Sequence, residues 1–470
     1  MNLFLKPATL ILAVFLLTGC SAQRYHAAPL ASSETASRLE SRNLADSGLQ
    51  SFIEKNLGRP VSPWPPKTWD LQKLSLAGLY FNPALESARS RLSTTEAAVI
   101  TAGAHPNPTV SIAPGIPTPY LLTLDIAIPI ETAGKRSHRI EAAQSLKHAA
   151  ELDLADSAWT VRNGVRTALV NYLLAARNLD LYRSEVQVRE DQLAILEKVL
   201  SAGEIPSIDL DLPQMELSRT RVLIATTEGQ VADAKAILAA AIGIPVAGFQ
   251  DAEFSWPELD ALSNIQSFSQ LEIQRDAVIN RLDVRRALEQ YAAAEATLQL
   301  EISKQYPDIN IGPGYTFEET HSFLTFALSS TIPLRNRNQG PIAEAEGRRK
   351  EAASAVLEKQ AQAITKTDRA FAAYKAAIEE MTQVESLRKL HNTQMETAQR
   401  AIRAGTSTQL NLSSLQIQGS LLERSRLDAL ARAQRTLGDL EDSIQRPIGS
   451  GEDFTAPVSA VSMDRNSQIF

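Results

Sequence analysis

The chain has 470 residues, 44% of them hydrophobic, 21% charged and 6% aromatic, and a formal charge of −7 at neutral pH. So mild a balance gives no electrostatic footprint for nucleic acid. A single cysteine excludes an internal disulfide and a zinc–cysteine cluster.

In chain order, residues 1–19 read as a signal segment. Lys6 is followed by an apolar run from Ala8 to Leu17, then by Leu17-Thr18-Gly19-Cys20. A charged start, a short apolar centre and small residues before a cut mark secretion rather than a membrane span. The tetrapeptide resembles the bacterial lipobox, whose cysteine is acylated and becomes the mature N-terminus. Cys20 is therefore the expected lipid attachment site. Ser21 stands where lipoproteins kept in the inner membrane carry Asp, which by the same resemblance implies sorting to the outer membrane. No later stretch approaches the ~18–20 apolar residues of a spanning helix. Any membrane crossing must then be made by strands.

Residues 20–70 are polar and rich in breakers, with Pro60, Pro63, Pro65 and Pro66 at the end. They predict an extended, acylated arm with one short helix near residues 44–56. A first structural unit follows over residues 71–245. It opens with a helix over 71–104, entered near Asn82-Pro83. Two alternating runs come next: Val110 and Ile112 share one side of the first, and Leu122, Leu124, Ile126, Ile128 and Ile130 share one side of the second. Such alternation marks strands with two different environments. Thr123, Asp125 and Ala127 take the other side, which predicts that Asp125 faces away from the apolar surroundings.

Residues 131–244 form a long helical run, folded once at Ala202-Gly203-Glu204-Ile205-Pro206. Leu179, Val186, Leu193 and Leu200 fall at seven-residue intervals, which argues for coiled-coil packing. At ~1.5 Å per residue the first arm alone would reach about 100 Å. Residues 246–270 read as an irregular connector, expected at the equator of the bundle.

The layout then repeats over residues 271–447. Ile311, Pro313, Tyr315 and Phe317 alternate with Asn310, Gly312, Gly314 and Thr316, and Leu324, Phe326 and Leu328 alternate with Phe323, Thr325 and Ala327. Leu357, Ile364, Phe371 and Ile378 keep a seven-residue spacing up to the turn at Ala404-Gly405. Matching breakers lie about two hundred residues apart, Pro106 with Pro307 and Gly203 with Gly405, which indicates a duplicated unit. Residues 448–470 read as a loose tail.

Each strand is close to the ~9–11 residues of a tilted barrel strand. Four strands cannot close a barrel, and open edges cannot face lipid with their backbone groups unpaired. The alternatives are several chains pooling strands, or a small water-facing sheet packed on helices.

This order of elements after a lipobox resembles the TolC-type outer-membrane efflux proteins. The local words that carry the resemblance are Asn82-Pro83-Ala84-Leu85, His105-Pro106-Asn107-Pro108, Ile128-Pro129-Ile130-Glu131-Thr132-Ala133-Gly134-Lys135-Arg136, and the turns at Gly203 and Gly405. The Pro-Asn-Pro and Gly-Lys-Arg words look most like the heavy-metal-cation (CzcC-like) branch. The resemblance implies an α+β membrane protein with long coiled-coil hairpins and four transmembrane strands per chain. Three chains of four strands would give a twelve-stranded barrel above a helical tunnel. It also implies outer-membrane lipid, a periplasmic adaptor and an inner-membrane pump as partners.

Glycine at positive φ suits a tight helix reversal, and the resemblance makes the two turns adaptor-docking tips. Gly203, Ile208 and Leu210 in one copy and Gly405, Leu410 and Leu412 in the other are the expected docking residues. Glu204, Asp209, Asp211 and Glu396, repeated around a threefold mouth, could attract cations, and Asp125 is the expected lumen residue of the barrel. The six histidines are scattered, and His138 and His148 miss helical metal-pair spacing. No catalytic motif, cofactor loop or metal cluster is evident, so no enzyme, cofactor or metal site is expected. The leading expectation is a passive exit duct of a tripartite efflux system, its cargo leaning to metal cations. The alternative is a lipid-anchored periplasmic coiled-coil scaffold, or an adaptor without a channel.

Overall fold

The computed structural model describes residues 24–115, 121–262 and 269–448. Cys20 lies outside the described residues. The chain divides into two units, one ending at Ser41 and one beginning at Arg42. The first carries α1 (Ser32–Glu40), which buries no side chain.

The second unit opens with α2 (Ser47–Leu57), the short helix expected near residues 44–56. The Asp46 carboxylate accepts the Leu49 amide at 2.8 Å, capping the helix, and Gly58 at φ 65° ends it. Leu49, Phe52 and Ile53 are buried against Trp69, Leu74, Leu169, Leu238 and Phe249. The arm is thus part of the main apolar core. Its last residues form β1 (Thr68–Trp69), paired in parallel with β4 (Glu253–Phe254) of the connector.

The helix expected over 71–104 is two, α3 (Leu71–Phe81) and α4 (Pro83–Ala102). Asn82 separates them: its side chain caps α4 through the Ala84 amide at 3.0 Å, and Pro83 at the first helical position donates no backbone bond. Two strands follow, β2 (Thr109–Gly115) and β3 (Leu121–Ile130), then α5 (Lys135–Ser201) and α6 (Asp211–Ile242). The second copy is α7 (Gln270–Asn280), α8 (Leu282–Ser303), β5 (Ile309–Glu318), β6 (His321–Ser330), α9 (Gln339–Arg403) and α10 (Gln409–Ile444). At 67 and 65 residues, α5 and α9 are each about 100 Å long. Among the described residues no helix is long and apolar enough to cross a membrane.

Heptad spacing located the helices, but the buried seam of α9 lies one residue away from the one read. Val356, Ala363, Ala370 and Ala377 are buried, with Thr367, Tyr374 and Met381 between them. Leu357 and Ile364 are 67% and 41% exposed. Small residues let helices approach closely, so the alanine row takes the closest intrachain contact; Leu357 and Ile364 are left outward, while Phe371 and Ile378 of the same row are half-buried against the core.

Polar clamps join the two copies. Buried Arg162 and Arg166 of α5 both reach Glu441 Oε2 of α10, at 3.1 and 3.2 Å. Lower on α5, buried Glu185 takes Arg189 Nε at 2.8 Å and Arg424 of α10, with the Thr220 hydroxyl of α6 at 3.5 Å. In the connector, Asp260 accepts Arg177 of α5 at 2.8 Å and Arg426 of α10 at 3.0 Å. Burial disfavours the Asp260 carboxylate, but these two guanidiniums outweigh it and hold the carboxyl below its ordinary range.

Candidate functional site: a two-faced sheet, its junction and two hairpin tips

The four long strands form one antiparallel sheet in the order β2-β3-β5-β6. Its register sorts side chains into two faces. Val110, Ile112, Leu122, Leu124, Ile128, Ile311, Tyr315, Leu324, Phe326 and Leu328 share one face, and pairings such as Ile112↔Leu124↔Tyr315↔Leu324 run across it. Much of that face is bare: Leu324, Phe326 and Leu328 are 88%, 73% and 71% exposed. An apolar surface this continuous marks an interaction surface.

The opposite face is mostly small and polar, with Leu121 and Phe323 toward the strand ends near residues 318–323. Its central row is Ser111↔Asp125↔Gly314↔Thr325. Asp125 lies on the side opposite the apolar rows and is half-buried. A Cβ on Gly314 would sit 2.3 Å from both Asp125 Oδ1 and Thr325 Oγ1, so the carboxylate occupies the space that glycine leaves. Regular pairing of β3 with β5 lapses between Asp125↔Gly314 and Ile128↔Ile311, where Pro313 has no N–H to give.

Below the sheet, Glu131-Thr132-Ala133-Gly134-Lys135-Arg136 turns β3 into α5. Ala133 and Gly134 take φ of 55° and 73°. Buried Lys135 donates to the Tyr306 carbonyl and to Asp308 Oδ1, both at 2.6 Å, while the Thr132 amide reaches the same oxygen at 3.0 Å. Arg136 donates to the Gly103 carbonyl at 2.7 Å and Arg139 to that of Ala102 at 3.1 Å. Two cations therefore cap the C-terminal end of α4, where the helix dipole favours them. Arg139 also grips Glu131 through two bonds. The motif thus fixes how the sheet joins the helices, and its roles became visible only once residues 306–308 of the second copy came alongside.

Hydrogen bonds from Arg139 hold the Glu131 carboxyl below its ordinary range. Burial works against ionisation of Asp308, but the bonds from Lys135 and the Thr132 amide outweigh it and lower this pKa too. Folded-state values below the unfolded ones (about 3.9 for Asp, 4.3 for Glu) supply stability above that range and lose it as pH falls through the depressed values. The apparent thermal midpoint should therefore hold down to about pH 5 and drop below about pH 4. The drop should be shallower in Asp308→Asn, as acid titration followed by circular dichroism would read.

At the far ends of the hairpins the chain reverses twice in the same way. Gly203 and Gly405 both have φ 74°, with open space where a Cβ would be. The Gly203 and Glu204 amides donate to the Leu200 and Val199 carbonyls at 2.8 and 3.1 Å, and those of Gly405 and Thr406 to Ile402 and Ala401, both at 2.9 Å. This paired pattern is the Schellman cap. Gly203, Glu204, Ile208, Asp209, Asp211, Glu396 and Gly405 are exposed, and Leu410 and Leu412 are half-buried. Leu210 departs from the expected partner-facing position: it is buried, 9% exposed, within its own hairpin. The residues that do stand out are Ile208, Leu212, Met215 and Val222, each 62–70% exposed. Their helical spacing in the sequence was the available signal. The tips also differ in charge, acidic at Glu204, Asp209 and Asp211 and basic at Arg400 and Arg403.

Among the described residues, no three His, Cys, Asp or Glu side chains converge as a metal site.

The family model described as outer membrane efflux protein matches residues 79–244. The chain is 25% identical over 287 residues to the cobalt-zinc-cadmium resistance protein CzcC of Cupriavidus metallidurans, an alignment covering 59% of this chain. The aligned part spans 65% of that relative's length. The outer membrane protein VceC of Vibrio cholerae has a similar structure, with a TM-score of 0.64 at 18% identity over 80% of this chain and 96% of its own. CusC, whose solved structures concern transmembrane channel formation, gives 0.62 at 16% identity over 90% and 99%. The match over residues 79–244, the similarity to CzcC and the fold shared over most of the length agree, and the chain is similar to the outer membrane efflux proteins.

Proposed function

We propose that the protein is a passive exit duct: three copies pool their sheets into one barrel in the outer membrane and their hairpins into a tunnel through the periplasm. One observation carries this reading. The sheet presents an exposed apolar face on one side and a polar face bearing Asp125 on the other, and within the chain β2 and β6 are its edges. Lipid tolerates no open edge, so closure by further copies satisfies both the edges and the apolar face. The outward row of Leu357 and Ile364 offers those copies a contact surface along α9. In this reading Cys20 carries the lipid anchor and residues 71–245 and 271–447 are the two repeats. The hairpin tips, with Gly203, Ile208, Gly405, Leu410 and Leu412 at or near their reversals, meet a periplasmic adaptor that links the duct to an inner-membrane pump. The duct itself performs no catalysis and draws its driving force from the pump. A ring of Asp125 side chains, with Glu204, Asp209 and Glu396 nearer the mouth, favours cationic cargo. The similarity to CzcC, a cobalt-zinc-cadmium resistance protein, points the same way.

The decisive measurement is single-channel recording of the purified protein in planar lipid. Discrete conductances with a preference for cations are expected, and Asp125→Asn should lower that preference about two- to threefold while leaving the oligomer intact. A protein that remains monomeric without detergent and passes no current would overturn the reading.

A further inference from the structure

Where β6 runs into α9, residues 331–338 form a short bridge at the surface. Ile332 and Leu334 continue the even-numbered apolar row of Leu324, Phe326 and Leu328, and are 71% and 79% exposed. Arg335 and Arg337 follow, both exposed, and neither pairs with a carboxylate among the described residues. The bridge is nonetheless held in place. The Leu334 amide donates to the Ile332 carbonyl at 2.9 Å, and the Asn338 amide to the Asn336 side chain at 2.9 Å. The Asn338 side chain then donates to the Glu301 carbonyl and carboxylate of α8, both at 2.8 Å. In the first copy the corresponding turn spends its cations within the fold, Lys135 on Asp308 and Arg136 on the Gly103 carbonyl. The second copy leaves two guanidiniums bare beside two bare aliphatic side chains. Water alone would suit the arginines, but not Ile332 and Leu334 next to them.

The place of the bridge along the sheet says what covers it. β6 has 10 residues. At ~3.4 Å per residue and the ~35–45° tilt of barrel strands it rises about 25 Å, the height of the apolar band of an outer-membrane barrel. Residues beyond Ser330 then fall where hydrocarbon gives way to headgroups. Charge separates the two ends of the β5–β6 hairpin: Glu318 and Glu319 are exposed at its turn, Arg335 and Arg337 at the end next to the helices. We propose that residues 332–337 are a docking surface for anionic phospholipid in the leaflet on the helical side of the sheet. Arg335 and Arg337 meet the headgroup phosphate, and Ile332 and Leu334 meet the first carbons of the acyl chains. A guanidinium can bind two phosphate oxygens at once, and basic residues at a membrane surface draw anionic lipid. A zwitterionic headgroup brings a cation of its own, which the two arginines disfavour. This inference rests on the reading that the sheet stands in lipid, and it fixes the depth at which the sheet sits.

The experiment uses the full-length protein in detergent, titrated with phosphatidylglycerol or phosphatidylcholine of identical acyl chains and read by native mass spectrometry. Phosphatidylglycerol should bind about five- to tenfold more tightly than phosphatidylcholine. Arg335→Gln combined with Arg337→Gln should bring that ratio close to one, whereas Leu334→Ser should weaken both lipids alike. Both arginine side chains are exposed, so the double variant should keep the melting curve of the parent. Equal binding of the two lipids by the parent, the result if a neighbouring copy covers this segment, would overturn the proposal. So would a preference that survives the double substitution, or one that inorganic phosphate at the same concentration as the lipid removes. Conductance separates the two readings. A protein that shows the preference but passes no current sinks the duct alone, and a conducting protein without the preference sinks this surface alone.

Discussion

Gly312→Val is expected to prevent β3 and β5 from pairing and, if the chain assembles as proposed, to abolish the oligomer. A Cβ at this position would lie 1.5 Å from the Ile126 carbonyl oxygen and 2.7 Å from its carbon. The obstacle is backbone rather than a side chain that could swing aside. The demand for glycine comes from space, since Gly312 is not among the positive-φ residues. Overpacking a well-packed site typically costs about 1–3 kcal/mol. A clash with main chain at the central strand pair should reach or pass the top of that range. Heat-resistant oligomer on semi-native electrophoresis should disappear, and the purified chain should aggregate through the apolar face. An unchanged oligomer would mean that the two strands are not neighbours as described.

The second large effect is expected from Glu185→Ala. Glu185 is 1% exposed and is the shared partner of Arg189 and Arg424, the latter also lying 4.8 Å over the Tyr182 ring. Removing the carboxylate takes the ion-pair partner from Arg424 in the contact between α5 and α10, while Arg189 keeps Glu216 at 3.6 Å. Breaking a buried ion pair by deleting one member costs about 3–5 kcal/mol, because the partner's charge is stranded. Urea unfolding of Glu185→Ala should show a loss of that order. Glu185→Leu combined with Arg424→Leu should recover part of it, since no stranded charge then remains. A loss below about 1 kcal/mol in the single variant would show that the cluster is solvated.

The parts of this protein legible beforehand are those fixed by local period. Alternation placed Leu122, Leu124 and Ile126 against Thr123 and Asp125, and the register of four strands keeps that division. Proline and glycine punctuation located the reversals at Gly203 and Gly405, and both carry the left-handed φ that a Schellman cap requires. The arm's short helix was legible, but its packing into the core was not, because Leu49, Phe52, Ile53 and Trp69 are spaced among breakers. Their burial depends on Leu169 and Phe249, which come from far along the chain. The α9 seam was misread for a related reason: size suggested Leu357 and Ile364 as core, whereas close helix approach selected the alanine row beside them. Leu210 had the composition of a surface anchor and is buried by its own hairpin.

Sequence alone determined the long helices and the strands, the reversals at Gly203 and Gly405, and that the whole plan occurs twice. Each of these follows from backbone sterics and side-chain period within a few turns. The tertiary structure alone decided which apolar row stays outside, that Lys135 locks onto Asp308, and that two arginines share Glu441. Those outcomes join residues more than a hundred positions apart. They are set by competition for space and for charge partners, which no local pattern records.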